Sequence, residues 1–73
     1  MKLREYWKSL SGKERFEYAE RVGVSEGYMR VHLIPARKTP RENILYGLSK
    51  ESFGHVEHQD VLDHFFPDMK KSA

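Results

Sequence analysis

The segment from Ser11 to Ser25 constrains the fold most, because two helix starts and a helix stop follow one another within it. Ser11 and Glu14 have the spacing of a capping box, in which each side chain accepts the backbone N–H of the other residue. They predict a helix over residues 12–22. Gly23 occupies the position where a left-handed C-cap ends a helix, and Ser25 is suited to be the next N-cap. Two helices joined by a tight turn are therefore expected.

A short first helix over residues 2–9 is predicted by an apolar stripe at intervals of three and four residues. The stripe consists of Leu3, Tyr6, Trp7 and Leu10. In the second helix, we expect either Phe16 or Tyr18 to be buried together with Ala19 and Val22.

Two prolines delimit the third and fourth helices. The third is expected to end near Leu33, because the residue before Pro35 is disfavoured in the helical region. The run Thr39-Pro40-Arg41-Glu42 combines an N-cap, a proline at the first helical position and a capping-box glutamate. It predicts the start of the fourth helix at Pro40.

Gly54 is the predicted terminator of the fourth helix, which is expected to continue to Ser52 or Phe53. Val56 is then a packed connector, and a fifth helix is predicted over His58–Phe65. The expected fold is all-α, a small five-helix domain over residues 1–66 followed by a frayed tail over residues 67–73.

Length and composition narrow the function. With 73 residues and no cysteine, the chain is close to the smallest size that a hydrophobic core alone can stabilise. An enzyme is not expected, because a buried catalytic cleft is hard to build in so few residues. No apolar run approaches the length of a membrane-spanning helix, which is about 20 residues. A soluble, cytoplasmic protein without a cofactor or a small-molecule substrate is expected.

Charge is divided unevenly along the chain. Residues 1–41 contain ten Lys and Arg against five Asp and Glu, a net +5, whereas residues 42–73 contain three against six, a net −3. A basic half favours an acidic partner, and nucleic acid is the leading hypothesis. A solvated helix surface explains such charges equally simply.

A helix, a tight turn with glycine and a second helix are typical of a helix-turn-helix, whose frame fits residues 15–34. In that frame Ala19 is the small residue where helices 2 and 3 cross. The inner side of the third helix is predicted to hold Met29, His32 and Leu33. The outer side is predicted to hold Gly27, Arg30, Val31 and Ile34, with Glu26 at their edge.

Four residues near the start of the third helix are predicted DNA base contacts. The bare backbone at Gly27 lets the helix approach the bases closely. Arg30 can donate two hydrogen bonds to guanine, Glu26 can accept one from cytosine, and Val31 can contact a thymine methyl group. A simpler role stays open for Glu26, which is to complement the positive end of the helix dipole.

Predicted phosphate contacts surround these residues. Helix N-termini attract anions through their free amides, and basic side chains of the following loop add charge. The residues are Gly12, Lys13, Ser25, Tyr28, Arg37, Lys38 and Arg41. Arg37 and Lys38 also fit an ordinary solvated loop, and Tyr28 can pack against the protein instead.

The run A-E-R-V-G-V-S-E-G-Y-M-R, with K-L-R-E-Y-W-K-S-L before it and K-E-S-F-G-H-V after it, resembles the Cro-type and YdaS-type helix-turn-helix proteins of phages and prophages. The resemblance covers residues 2 to about 65. It implies a lambda-repressor-like domain that acts as a transcriptional repressor, usually as a dimer on a palindromic operator. The sequence departs from this family at His32, where an aliphatic residue is usual, and at Pro35 in the following loop.

Other interpretations remain. His55, His58 and His64 suggest zinc, but their spacing fits no common template, so no metal site is expected. Phe65 and Phe66 are predicted dimer contacts. An antitoxin-like or anti-CRISPR-associated autorepressor has the same fold, and a protein-interaction module could instead bind a partner through the acidic C-terminal half.

Overall fold

Side-chain caps start three of the five helices in the computed structural model, which describes residues 1–67. Of the predicted tail, everything after Pro67 lies outside the described residues. Within residues 1–67 the chain is helical and contains no strand. The five helices are α1 (Leu3–Ser9), α2 (Gly12–Val22), a third helix made of α3 (Glu26–Tyr28) and a π-helical segment (Met29–Leu33), α4 (Glu42–Lys50) and α5 (His58–Phe65).

The predicted caps of α2 and of the third helix are confirmed. The Ser11 hydroxyl accepts the Glu14 N–H at 3.2 Å, and the Glu14 carboxylate accepts the Ser11 N–H at 2.9 Å. These bonds also hold the pKa of Glu14 below its usual value. Gly23 has φ 106° and ends α2 in the left-handed conformation. The Ser25 hydroxyl then accepts the Tyr28 N–H at 3.0 Å, so the turn between the helices is as short as expected.

The third helix changes its periodicity midway, and this overturns the placement of Ile34. The Ile34 N–H donates to the carbonyl of Met29 at 2.9 Å, five residues back. A π turn of this kind needs one more residue than an α turn, which brings Ile34 above the buried Met29. Ile34 is therefore 8 % exposed and lies on the inner side.

The predicted start of the fourth helix is wrong by two residues. Arg41 is the N-cap, with φ −66° and ψ 163°, and no side-chain cap is present. Thr39 is therefore not the N-cap, Pro40 is not the first helical residue and Glu42 closes no capping box. The fixed φ of proline suits an extended chain as well as a first helical turn, so the local signal was ambiguous.

The same helix ends at Lys50, before Ser52 and Phe53, where its end was predicted. The buried Ser52 hydroxyl donates to the Ser49 carbonyl at 2.6 Å and accepts the Val56 N–H at 3.0 Å. These bonds give the backbone an alternative to the helix. Gly54, with φ 88°, shapes the turn that follows and does not terminate the helix itself.

Tyr18 is fully buried in the core, to which all five helices contribute. Its hydroxyl donates to the carbonyl of Leu48, its ring meets Tyr6 edge-on at 5.2 Å, and burial raises its pKa far above the usual value. Phe16 is 59 % exposed, which decides between the two aromatic residues of α2. The buried apolar residues are Leu3, Tyr6, Trp7, Tyr18, Ala19, Val22, Met29, Leu33, Ile34, Leu48, Val56 and Val61.

Candidate functional site

Three of the four predicted base contacts lie together at the start of the third helix. The Arg30 guanidinium is paired with the Glu26 carboxylate, with Nε 3.1 Å from Oε2. An added Cβ at Gly27 would lie 4.0 Å from Nη2 of Arg30 and would meet nothing closer. Val31, the fourth, is 40 % exposed one residue further on. These residues form a surface, here called the third-helix surface, in which Arg30 and Val31 are exposed and Glu26 and Gly27 are half-buried.

The ion pair between Glu26 and Arg30 was not predicted from the sequence, although residues four apart on a helix are neighbours. Only the Nε edge of the guanidinium faces the carboxylate, and among residues 1–67 this side chain has no other hydrogen-bond or ion-pair partner. The terminal Nη groups remain for a second acceptor, because an arginine has five N–H donors. Glu26 therefore orients Arg30 and reduces the net charge of the surface.

Tyr28 and His32 flank the third-helix surface and contact each other. Their ring centroids are 4.9 Å apart with an interplanar angle of 54°. Tyr28 is 37 % exposed, and His32 is half-buried, whereas Met29 and Leu33 are fully buried as predicted. His32 therefore lies at the boundary between the inner and outer sides and partly covers the neighbouring tyrosine.

The basic loop after the third helix is anchored to it by backbone hydrogen bonds. The amides of Arg37 and Lys38 both donate to the carbonyl of His32, at 2.9 and 3.2 Å. Ala36 has φ 58°, which turns the chain back after the proline. The backbone of Arg37 and Lys38 is therefore bonded to the third helix, while their side chains are exposed.

The other predicted phosphate contacts are also on the surface. Gly12 and Lys13 are exposed at the start of α2, and Arg41 is exposed before α4. The oxygen of the exposed Ser25 accepts the capping bond, which leaves its O–H as a donor.

Two side chains from distant helices, Arg4 and His64, bind the C-terminal end of the third helix, and neither was predicted to do so. The His64 Nε2 lies 2.9 Å from the carbonyl oxygen of Leu33. The Arg4 Nη2 donates to the carbonyl of Ile34 at 3.3 Å. Contacts between residues about thirty positions apart have no local sequence pattern.

The histidines considered for zinc have separate neighbours. His55 stacks on Tyr6 at 5.4 Å, and His58 lies 6.0 Å from the ring of Tyr46, while His64 binds the third helix. Within residues 1–67 no cluster of three or more His, Cys, Asp or Glu side chains could bind a metal ion. Nor is any helix in this part of the chain long and apolar enough to cross a membrane.

Phe65 and Phe66, the predicted dimer contacts, are half-buried within the single chain. Phe65 packs against the core and meets the ring of His64 edge-on at 4.7 Å. Their partial exposure is compatible with a dimer contact, which stays a prediction.

Phe53 is an exposed aromatic residue that the sequence analysis did not single out as a site. It is 72 % exposed and has φ 56°, a conformation that bulky residues rarely adopt. The guanidinium of Arg21 lies 4.5 Å from its ring centroid and also pairs with Glu51 at 3.7 Å.

No protein-family model matches the chain, and no curated protein or solved structure matches it either.

Proposed function

We propose that the protein is a sequence-specific double-stranded-DNA-binding protein that acts as a transcriptional repressor of the Cro type. In this proposal α2 and the third helix form a helix-turn-helix of the lambda-repressor-like kind. The observation that carries the proposal is the third-helix surface, where an exposed arginine is oriented by a carboxylate beside a glycine. The resemblance of residues 2 to about 65 to phage Cro-type and YdaS-type proteins supports the same function.

Base recognition in this proposal depends on the free edge of Arg30. Its Nη groups donate to O6 and N7 of a guanine, while Glu26 holds the Nε edge. The absence of a side chain at Gly27 lets the helix start approach the edges of the bases. Val31 contacts a thymine methyl group. Glu26 thus acts mainly through Arg30, and the structure of the pair favours this role over a direct contact with cytosine.

Phosphate contacts in this proposal fix the position of the helix on the duplex. Arg37 and Lys38 are attached to the third helix through the His32 carbonyl, so they would bind the backbone next to the bases that Arg30 reads. The start of α2, with Gly12 and Lys13, supplies amides and a cation on the other side of the turn. Ser25, Tyr28 and Arg41 add further donors.

A dimer completes the proposal, because one helix reads only a short half-site. Two recognition helices must lie about 34 Å apart to enter successive major grooves on one side of a palindromic operator. Phe65 and Phe66 are the proposed apolar contacts between protomers.

The proposal is tested by a gel shift of the purified protein with random duplex DNA at increasing salt concentrations. We expect binding at low salt that weakens steeply as salt is added, because cations bound to phosphates are released. No binding even at the lowest salt concentration would refute DNA binding. A gene-neighbourhood map then separates a Cro-type repressor from an antitoxin-like or anti-CRISPR-associated autorepressor.

A second candidate function is protein interaction, which the exposed Phe53 favours. Arg21 lies over the ring and pairs with Glu51, and arginine is among the residues enriched at the hot spots of protein interfaces. This function would become the leading one if the gel shift showed no DNA complex.

A further inference from the structure

The C-terminal end of the third helix is held by side chains from both α1 and α5. The last carbonyls of a helix have no partner within the helix. Here the carbonyl of Leu33 is bound by His64 at 2.9 Å and that of Ile34 by Arg4 at 3.3 Å. Leu33 is the last residue of the helix, and Ile34 lies between it and Pro35.

The contact defines the protonation state of His64. A carbonyl can only accept a hydrogen bond, so Nε2 must carry the proton. Burial lowers the pKa of His64 below its ordinary value and outweighs the hydrogen bonds to the carbonyls of Leu33 and Ile34, which raise it, while the positive charge of Arg4 acts in the same direction as burial. His64 is therefore a neutral Nε2–H donor at neutral pH.

The groove between α1 and α5 determines what His64 faces when it gains a proton. Its charged residues are Lys2, Arg4, Glu5, Lys8, Asp60 and Asp63. Asp60 pairs with the N-terminal amine at 3.4 Å and accepts the Glu57 N–H at 2.9 Å, and Asp63 accepts from Gln59 at 3.0 Å. The two carboxylates thus already have partners, while the third helix presents backbone carbonyls to the ring.

The position of this helix end also determines the position of the basic loop. The carbonyl that anchors Arg37 and Lys38 belongs to His32, which immediately precedes Leu33. A displacement of the helix end therefore moves the attachment of the loop, and Arg37 and Lys38 with it.

We propose that His64, assisted by Arg4, is a positioning residue that fixes the end of the third helix for DNA binding and makes that binding sensitive to mild acid. This inference rests on the proposed function. Protonation of His64 adds a second cation beside Arg4 in a half-buried groove, which weakens the packing of α5 against the helix end. When His64 loses this proton, the packing of α5 against the helix end is restored.

Two variants separate the hydrogen bond from the titration. His64→Gln keeps an N–H donor near the position of Nε2 but does not titrate, whereas His64→Leu removes the donor. At about pH 7.5, where the ring is neutral, His64→Leu should weaken DNA binding about five- to tenfold, and His64→Gln should restore most of the affinity. Between about pH 7.5 and 5.5, affinity should fall more in the native protein than in His64→Gln, which shares its other histidines. Equal pH dependence of these two proteins would overturn the proposal.

NMR of the native chain provides a readout that does not need DNA. The nitrogen shifts of His64 should identify the Nε2–H tautomer, and His64→Leu should speed hydrogen exchange at the amides of Arg37 and Lys38. The Nδ1–H tautomer, or unchanged exchange in a folded His64→Leu variant, would refute the positioning role. If the native protein binds no DNA at any salt concentration, the proposed function fails, while these two measurements still decide whether His64 holds the helix end.

Discussion

For single residues, the contact between Glu26 and Arg30 links two side chains that the sequence analysis treated as separate readers of DNA. A carboxylate in a major groove is repelled by phosphates unless it has a partner. The 3.1 Å pair supplies that partner within the protein itself. The contact of Glu26 with Arg30 is thus a third alternative, beside a direct contact with cytosine and an interaction with the helix dipole.

Replacing Arg30 and replacing Glu26 should have different effects on DNA binding. Arg30→Ala should weaken operator binding and relax the base preference by about 1–3 kcal/mol, since a bidentate contact is lost. Glu26→Gln should raise affinity for random DNA, because a negative charge near phosphates is removed, and should reduce discrimination, because a neutral amide holds Arg30 less strongly than a carboxylate does.

Fluorescence anisotropy with operator and random duplexes measures both effects. Lys50→Ala is a matched control, because Lys50 is exposed in the last turn of α4 and is not part of the third-helix surface. This substitution also removes one cation. An Arg30→Ala variant with native operator selectivity would exclude Arg30 from base recognition.

Gly27→Ala should separate stability from DNA binding. The new methyl group meets only Nη2 of Arg30, at 4.0 Å, and alanine is favoured over glycine in a helix by about 1 kcal/mol. We expect a higher midpoint in urea unfolding together with weaker DNA binding, because the Cβ keeps the helix away from the bases. Stronger folding with unchanged affinity would show that no close approach occurs at Gly27.

For the helices, the boundaries predicted correctly from the sequence are those set by residues at the helix end itself. The ends of α2 follow from Ser11, Glu14 and Gly23, which lie at the helix itself, and the residues of α5 were predicted in full. The start of α4 was not, because Pro40 fits two backbone conformations. The π-helical segment was also missed, since its wide turn buries Ile34 through packing that periodicity does not reveal.

Ile34 and Val31 provide a direct test of this change in periodicity. An uninterrupted α-helix would place both residues on the outer side, whereas the structure buries Ile34 and leaves Val31 40 % exposed. Ile34→Ala should therefore cost about 2–5 kcal/mol of unfolding free energy, and Val31→Ala should cost about 0.5 kcal/mol or less. Urea unfolding compares them, and similar small losses would argue against the π turn.

For the whole molecule, the uneven charge along the chain is the basis of the DNA-binding hypothesis, which stays a prediction. The basic first 41 residues include every residue of the third-helix surface and of the basic loop. By contrast, the groups that hold the end of the third helix come from α1 and α5. His64 looked like part of a histidine-rich segment, and only the folded chain brings its ring to the carbonyl of Leu33.

The basic loop should contribute affinity without contributing specificity. Lys38→Ala should weaken binding to operator and random duplexes equally, and it should reduce the slope of log K against log salt by about one. Lys50→Ala again serves as the control, with an unchanged slope. A Lys38→Ala variant with the native slope would exclude a phosphate contact at this residue.

Selection of bound duplexes from a random DNA pool tests the central claim most directly. The account predicts enrichment of an inverted repeat with half-sites about 34 Å apart, in which a guanine loses its enrichment when Arg30→Ala replaces the native protein. A pool that stays random after repeated rounds, or a consensus unaffected by Arg30→Ala, would contradict DNA recognition through the third helix.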